Sequence, residues 1–159
     1  MMREFGKAKR LPFAPELVVM FHVFEHLEDP AGCLRWLAQH MAPNGTLVIE
    51  VPDIEGDWSS IGLGQFHTAH RWYFSAATLA NMLAKNGFIP GHISRDDGDG
   101  IYPGNLRMFA KLGKAEGFPL PVPDAATQAA AIAAHINPWS LKNGWPRAAL
   151  RLVKQAMRG

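Results

Sequence analysis

A single cysteine, Cys33, in a chain of 159 residues excludes an internal disulfide and a cysteine-built metal site. That usage fits a reducing compartment. Acidic residues run out early: none follows Asp124, whereas Lys142, Arg147, Arg151, Lys154 and Arg158 are all basic. A basic tail thus follows a nearly neutral body, and a net charge of +2 is too small to point to nucleic acid as a partner. No apolar run reaches the ~18 residues that a membrane-spanning helix needs. The basic start MMREFGKAKR is not followed by an apolar segment with a small-residue cleavage site. No signal peptide is therefore expected, and a cytoplasmic location is the default. Apolar residues are plentiful, at 48% of the chain, so a packed core is affordable in a chain of about one domain's length.

The most informative stretch is LVVMFHVFEHLEDP, from Leu17 to Pro30. Leu17–Phe21 is a short apolar run, rich in β-branched residues, and reads as a buried strand of a parallel sheet. A polar elbow follows, with His22, Glu25, His26, Glu28 and Asp29. Asp29 suits an N-cap and Pro30 the first helical position, so a helix starts there. Ligands bind at the carboxyl ends of strands in open α/β sheets, which directs attention to this elbow.

The helix from Pro30 to about Met41 has one apolar face, built from Leu34, Leu37, Ala38 and Met41 with Leu27 before it. Pro43-Asn44-Gly45 ends it in a turn. Thr46–Val51 is a second strand, closed by Pro52 and Asp53. Residues 54–74 read as a loop of a length that usually carries function or mobility. Ser75 caps a helix over Ala76–Lys85, with Leu79, Met82 and Leu83 facing inward, and Asn86-Gly87 ends it. Phe88–Ser94 is a third strand, weakened by Pro90 and Gly91. Asp96–Gly100 is a turn, and Leu106–Leu112 pairs antiparallel with the third strand. Three prolines mark 113–124 as a linker. Ala125–Ile136 and Arg147–Met157 are helices. The domain reading is a body over 1–112, the linker over 113–124, and a helical extension over 125–159.

Several side chains carry more than one reading. Glu25 and His26 could serve catalysis or a metal. The simpler reading has both bonding backbone groups at the helix start and fixing the elbow's shape. His70 could pack against Trp72 and Phe74 with a nitrogen on backbone, or act chemically, since long loops carry function. His22, His26, His67 and His70 offer enough nitrogens for zinc, but nothing in their spacing demands it. DDGDG at 96–100 lacks the pattern of a calcium loop and reads as a turn. Gly62-x-Gly64 lacks the strand and helix that a phosphate loop needs. The basic face of the last helix reads as a solvated surface, with a membrane surface or acidic partner as the alternative.

In order, LPF at 11–13, LVVMFHVFEHLEDP at 17–30, LAQHMAPNGTLVIEVPD at 37–53, H-x-x-Y-F-S at 70–75 and TLANMLAKNGF at 78–88 resemble the second half of a class I S-adenosylmethionine-dependent methyltransferase. The likeness covers about residues 7–112. It implies an α/β fold: part of a doubly wound, Rossmann-like sheet that ends in an antiparallel hairpin, here followed by C-terminal helices. It implies methyl transfer from S-adenosylmethionine to a small-molecule acceptor. Phe21, His22, Val23 and His26 would line the cofactor site, with His22 and Val23 near the sulfonium. His70, and after it His67 or His22, would orient or deprotonate the acceptor. Trp58, Phe66 and Trp72 would wall its pocket.

The chain also departs from that family. Its glycine-rich cofactor loop would lie upstream of Met1, and no G-x-G-x-G occurs in the sequence. Lys7-Ala8 stands where the family often has Asp-Ala against the adenine. Cofactor binding by this chain alone is therefore expected to be incomplete. Without the upstream strands, Leu17–Phe21 becomes an apolar sheet edge, a template for pairing with itself or with a separate N-terminal half. A non-catalytic, truncated domain acting as a partner subunit, or a gene remnant, is the alternative. A metal hydrolase using the histidines is a third reading.

Overall fold

The computed structural model describes residues 11–56, 68–96 and 104–135. Strand β1 (Leu17–Phe21) leads through a 3-10 turn (Phe24–His26) into helix α1 (Pro30–His40) and strand β2 (Thr46–Pro52). Helix α2 (Ala76–Lys85), strands β3 (Phe88–Arg95) and β4 (Asn105–Leu112), and helix α3 (Ala125–His135) follow.

Both leading helices start where their caps dictate. The Gly32 N–H donates to Asp29 Oδ1 at 2.7 Å, with Pro30 in the first turn of α1. Ser75 and Thr78 form a reciprocal capping box on α2. Helix α1 stops at Met41, and Asn44 takes a left-handed φ of 60° in the turn into β2.

The strand order is β1-β2-β4-β3. β1 and β2 are parallel, joined by α1, with Met20 opposite Ile49 and Phe21 opposite Glu50. β4 inserts antiparallel between β2 and β3, the closing hairpin that the family resemblance implies. The β3 register shifts between Pro90 and Ile93. Pro90 has no N–H to give, and a Cβ on Gly91 would come within 3.2 Å of the Phe109 carbonyl, so this stretch suits an irregular strand.

Alternate residues of the strands face one core. Met20, Leu47, Ile49, Val51, Leu106, Met108 and Ala110 join Leu34 and Leu37 of α1 and Leu79, Ala80 and Leu83 of α2 in a single buried cluster. These side chains follow the period of two on strands and three to four on helices.

Two expectations need correcting. β1 is not a buried strand: only Met20 is buried, while Leu17, Val19 and Phe21 are 58%, 45% and 50% exposed. The reason is topological, since β1 is the edge of the described sheet and pairs only with β2. Pro52 does not close β2 but belongs to it, opposite Asn105. Between β4 and α3, Leu120 is held by the Asn81 amide through two hydrogen bonds, at 2.6 and 2.9 Å. The readings placed on Lys7, Trp58, Gly62-x-Gly64, Phe66, His67 and Arg147–Met157 lie outside the described residues. Among the described residues, no helix is long and apolar enough to cross a membrane.

Candidate functional site

The polar elbow leaves the carboxyl end of β1 through His22, whose φ of 52° is rare for a residue with a Cβ. Its N–H donates to the Glu50 carbonyl at 3.0 Å, which ties the elbow to β2. Chain reversal here sets the 3-10 turn under the segment that precedes α2. The Glu25 carbonyl accepts from the N–H groups of Arg71 and Trp72, at 2.9 and 3.2 Å. The Trp72 indole donates to the Leu27 carbonyl at 2.8 Å, and Arg71 reaches Glu28 at 3.3 Å. These bonds join residues 43 or more apart in the chain, and no local pattern encodes them.

The clamp brings three predicted residues together. The His26 and His70 ring centroids are 4.8 Å apart. His26 Nδ1 lies 2.7 Å from the Ala69 carbonyl. A carbonyl only accepts, so Nδ1 carries the proton and donates it. His26 Nε2 then faces Glu25 Oε1 at 3.6 Å. On the other side of the same oxygen, His22 Nδ1 stands at 3.5 Å, and His22 Nε2 is 3.5 Å from Glu50 Oε1. Glu25 is 1% exposed, and neither of its carboxyl oxygens has a hydrogen-bond partner among the described residues.

Three readings change here. Among the described residues the Glu25 side chain bonds no backbone group; its carbonyl does the tying instead, because the clamp residues approach from that side. His26 does bond backbone, but at Ala69 rather than at the helix start. His70 meets the rings of His26 and Tyr73, whereas the Trp72 indole is drawn to Leu27, and Phe74 lies tilted against buried Phe24 with ring centroids 5.4 Å apart. Glu25 and His26, read from the sequence as a possible metal pair, are joined here by His70.

Sequence reading also missed Glu50 and Arg107. They sit opposite each other in the β2–β4 register, and Arg107 Nε donates to Glu50 Oε2 at 2.7 Å. The Arg107 guanidinium also lies 5.4 Å from the Phe21 ring centroid. A lone acid inside TLVIEVP was the available signal. Next to this pair, buried Asp53 accepts from Arg95 Nε at 2.6 Å, and Arg95 Nη2 reaches Glu55 at 3.0 Å. The hydrogen bond to Asp53 holds the Arg95 guanidinium above its ordinary pKa.

Residues 4–90 match a family model described as a methyltransferase domain, which covers more than half of the chain. No curated protein sequence matches. Among solved structures, a Haloferax volcanii methyltransferase in complex with a methyltransferase activator is 15% identical, with a TM-score of 0.51 over 68% of this chain and 59% of its own. A Thermotoga maritima S-adenosylmethionine-dependent methyltransferase is 14% identical, with a TM-score of 0.49 over 64% of this chain and 59% of its own. The Synechocystis magnesium protoporphyrin IX methyltransferase is 17% identical, with a TM-score of 0.45 over 65% of this chain and 47% of its own. The chain thus spans between about half and three fifths of the length of these structures. At such identities the likeness concerns the fold, which is Rossmann-like. With the family model matched over most of its first 90 residues, the chain belongs to the class I S-adenosylmethionine-dependent methyltransferases.

Proposed function

We propose that the carboxyl ends of β1 and β2 form part of a methyl-transfer site for a small-molecule acceptor. The observation that carries this reading is the convergence of His22, Glu25, His26 and His70 where an open α/β sheet binds its ligands. S-adenosylmethionine, when bound, supplies an electrophilic methyl group on a sulfonium. The residues beside it would be Phe21, His22, Val23 and His26. Half-exposed Phe21 and the left-handed turn at His22 leave that surface open, which suits the sulfonium end of the molecule. His70, with His67 as second candidate, takes the proton that the acceptor's oxygen or nitrogen gives up. Positioning of the acceptor supplies much of the rate in such a reaction.

Calorimetric titration of the full chain with S-adenosylmethionine tests this. Binding at micromolar level, weakened by His22→Ala, supports a cofactor site on this chain. Absence of binding favours a second reading, a non-catalytic domain acting as a partner subunit. The exposed apolar strand β1 supports that one, since it offers an edge for a second copy of the chain or for a separate N-terminal half. A cytoplasmic setting goes with either.

A further inference from the structure

We propose that Glu25, His26 and His70 form a binding site for one divalent transition-metal ion of the zinc class. This rests on the methyl-transfer reading, in which His26 lies beside the cofactor and His70 on the acceptor side. One ligand atom from each of the three lies within 4.8 Å of the other two. Zinc bonds to nitrogen and oxygen are about 2.0–2.2 Å long, which puts tetrahedral ligands about 3.4 Å apart. His26 Nε2 and Glu25 Oε1 stand at 3.6 Å already.

Two further observations point to a cation. Glu25 is 1% exposed, yet both its carboxyl oxygens lack hydrogen-bond partners among the described residues. A buried carboxyl group in that condition is costly, and native structures rarely leave one so. A metal ion between Glu25 and the two imidazoles removes that cost. His26 is also oriented as metal-binding histidines are: Nδ1–H donates to a backbone carbonyl, Ala69, which leaves the lone pair on Nε2 facing Glu25. Buried Glu25 is thus aimed into a pair of imidazoles brought there by the Arg71 and Trp72 clamp.

Two histidines and one carboxylate make a catalytic type of metal set, with a position left open for water or a substrate oxygen. A hydroxyl bound there would lose its proton more easily. In this arrangement His70 is a ligand to the ion rather than the base that takes the acceptor's proton.

The test uses the full chain, stripped by a chelator and titrated with zinc chloride by calorimetry. Saturable uptake of one ion per chain is expected. His70→Ala and Glu25→Gln should each weaken it about tenfold or more, a loss at least as large as removal of an outer-shell partner causes. His92→Ala, on β3 against Phe109, should leave it unchanged. Cobalt(II) offered in place of zinc should give the visible absorption of a tetrahedral site, lost in His70→Ala. Since Glu25→Gln alters a buried side chain, His70→Ala and the cobalt spectrum decide if that variant does not fold. Absence of saturable uptake, or uptake equal in the parent and His70→Ala, overturns the proposal. Metal uptake requires no S-adenosylmethionine, so failure of the methyl-transfer reading and failure of the metal site register separately.

Discussion

Arg107 Nε donates to Glu50 Oε2 at 2.7 Å across β2 and β4, and the same guanidinium lies 5.4 Å from the Phe21 ring centroid. One arginine therefore satisfies the buried acid of β2 and supports the last residue of edge strand β1. Removal of a partner leaves a buried polar group unsatisfied, which costs about 1–3 kcal/mol. Arg107→Met should lower stability by about that amount. Glu50→Gln combined with Arg107→Met should recover part of the loss. Urea unfolding of the two single variants and the double variant measures the coupling, and simple additivity would sink the account.

The β1 edge should associate. Leu17, Val19 and Phe21 are about half exposed, and β1 pairs with β2 alone in the described sheet. Sedimentation velocity should show the sedimentation coefficient rising with protein concentration. Val19→Lys should return the chain toward monomer, since an edge lysine opposes strand pairing. A parent chain that stays monomeric across the concentration series contradicts this.

Cys33 should be inert. Burial, reinforced by the negative charge of Asp29, pushes its thiol up from 9.0 to about 11. The thiolate is the nucleophile, so a maleimide reagent at neutral pH should label the native chain far more slowly than the urea-unfolded one. The linkage has a definite sign. The folded state holds this proton more tightly, so its contribution is intact below pH 9.0 and is lost as the pH climbs to about 11. Cys33→Ala should flatten the fall in stability over that window. Equal labelling rates in native and unfolded protein would refute the placement of Cys33 in the core.

The first turn of α1 depends on Asp29. Its Oδ1 accepts from the Gly32 N–H at 2.7 Å, and caps of this kind are worth about 1 kcal/mol. Asp29→Ala should reduce stability by roughly that amount, and Asp29→Asn by less, because asparagine caps nearly as well. Equal losses in the two variants by thermal unfolding would show that the carboxylate acts through its charge rather than as the cap acceptor.

Much of the fold was legible along the chain because it rests on local chemistry. Asp29-Pro30 and Ser75 start helices through bonds spanning three residues, and Asn44 and Gly87 reverse the chain at left-handed φ values of 60° and 93°. The alternation in Leu106–Leu112 and the apolar runs of β1 and β2 carry the strands and the hairpin. The site was legible only as a set of residue types. His26 stood out in the elbow after the first strand and His70 in the long loop over 54–74, but their contact depends on bonds from Arg71 and Trp72 back to the Glu25 carbonyl.

Local pattern by itself determined where the helices and strands lie, because caps, turns and side-chain periods act within a few residues. Its ordered motifs also determined the family. Only the tertiary structure decided which side chains meet. Glu25 is buried between two imidazoles without a hydrogen-bond partner among the described residues, and Glu50 is answered by Arg107 from 57 residues away. Each of these follows from packing and register between distant segments, and burial of a polar group has no meaning until those segments close around it.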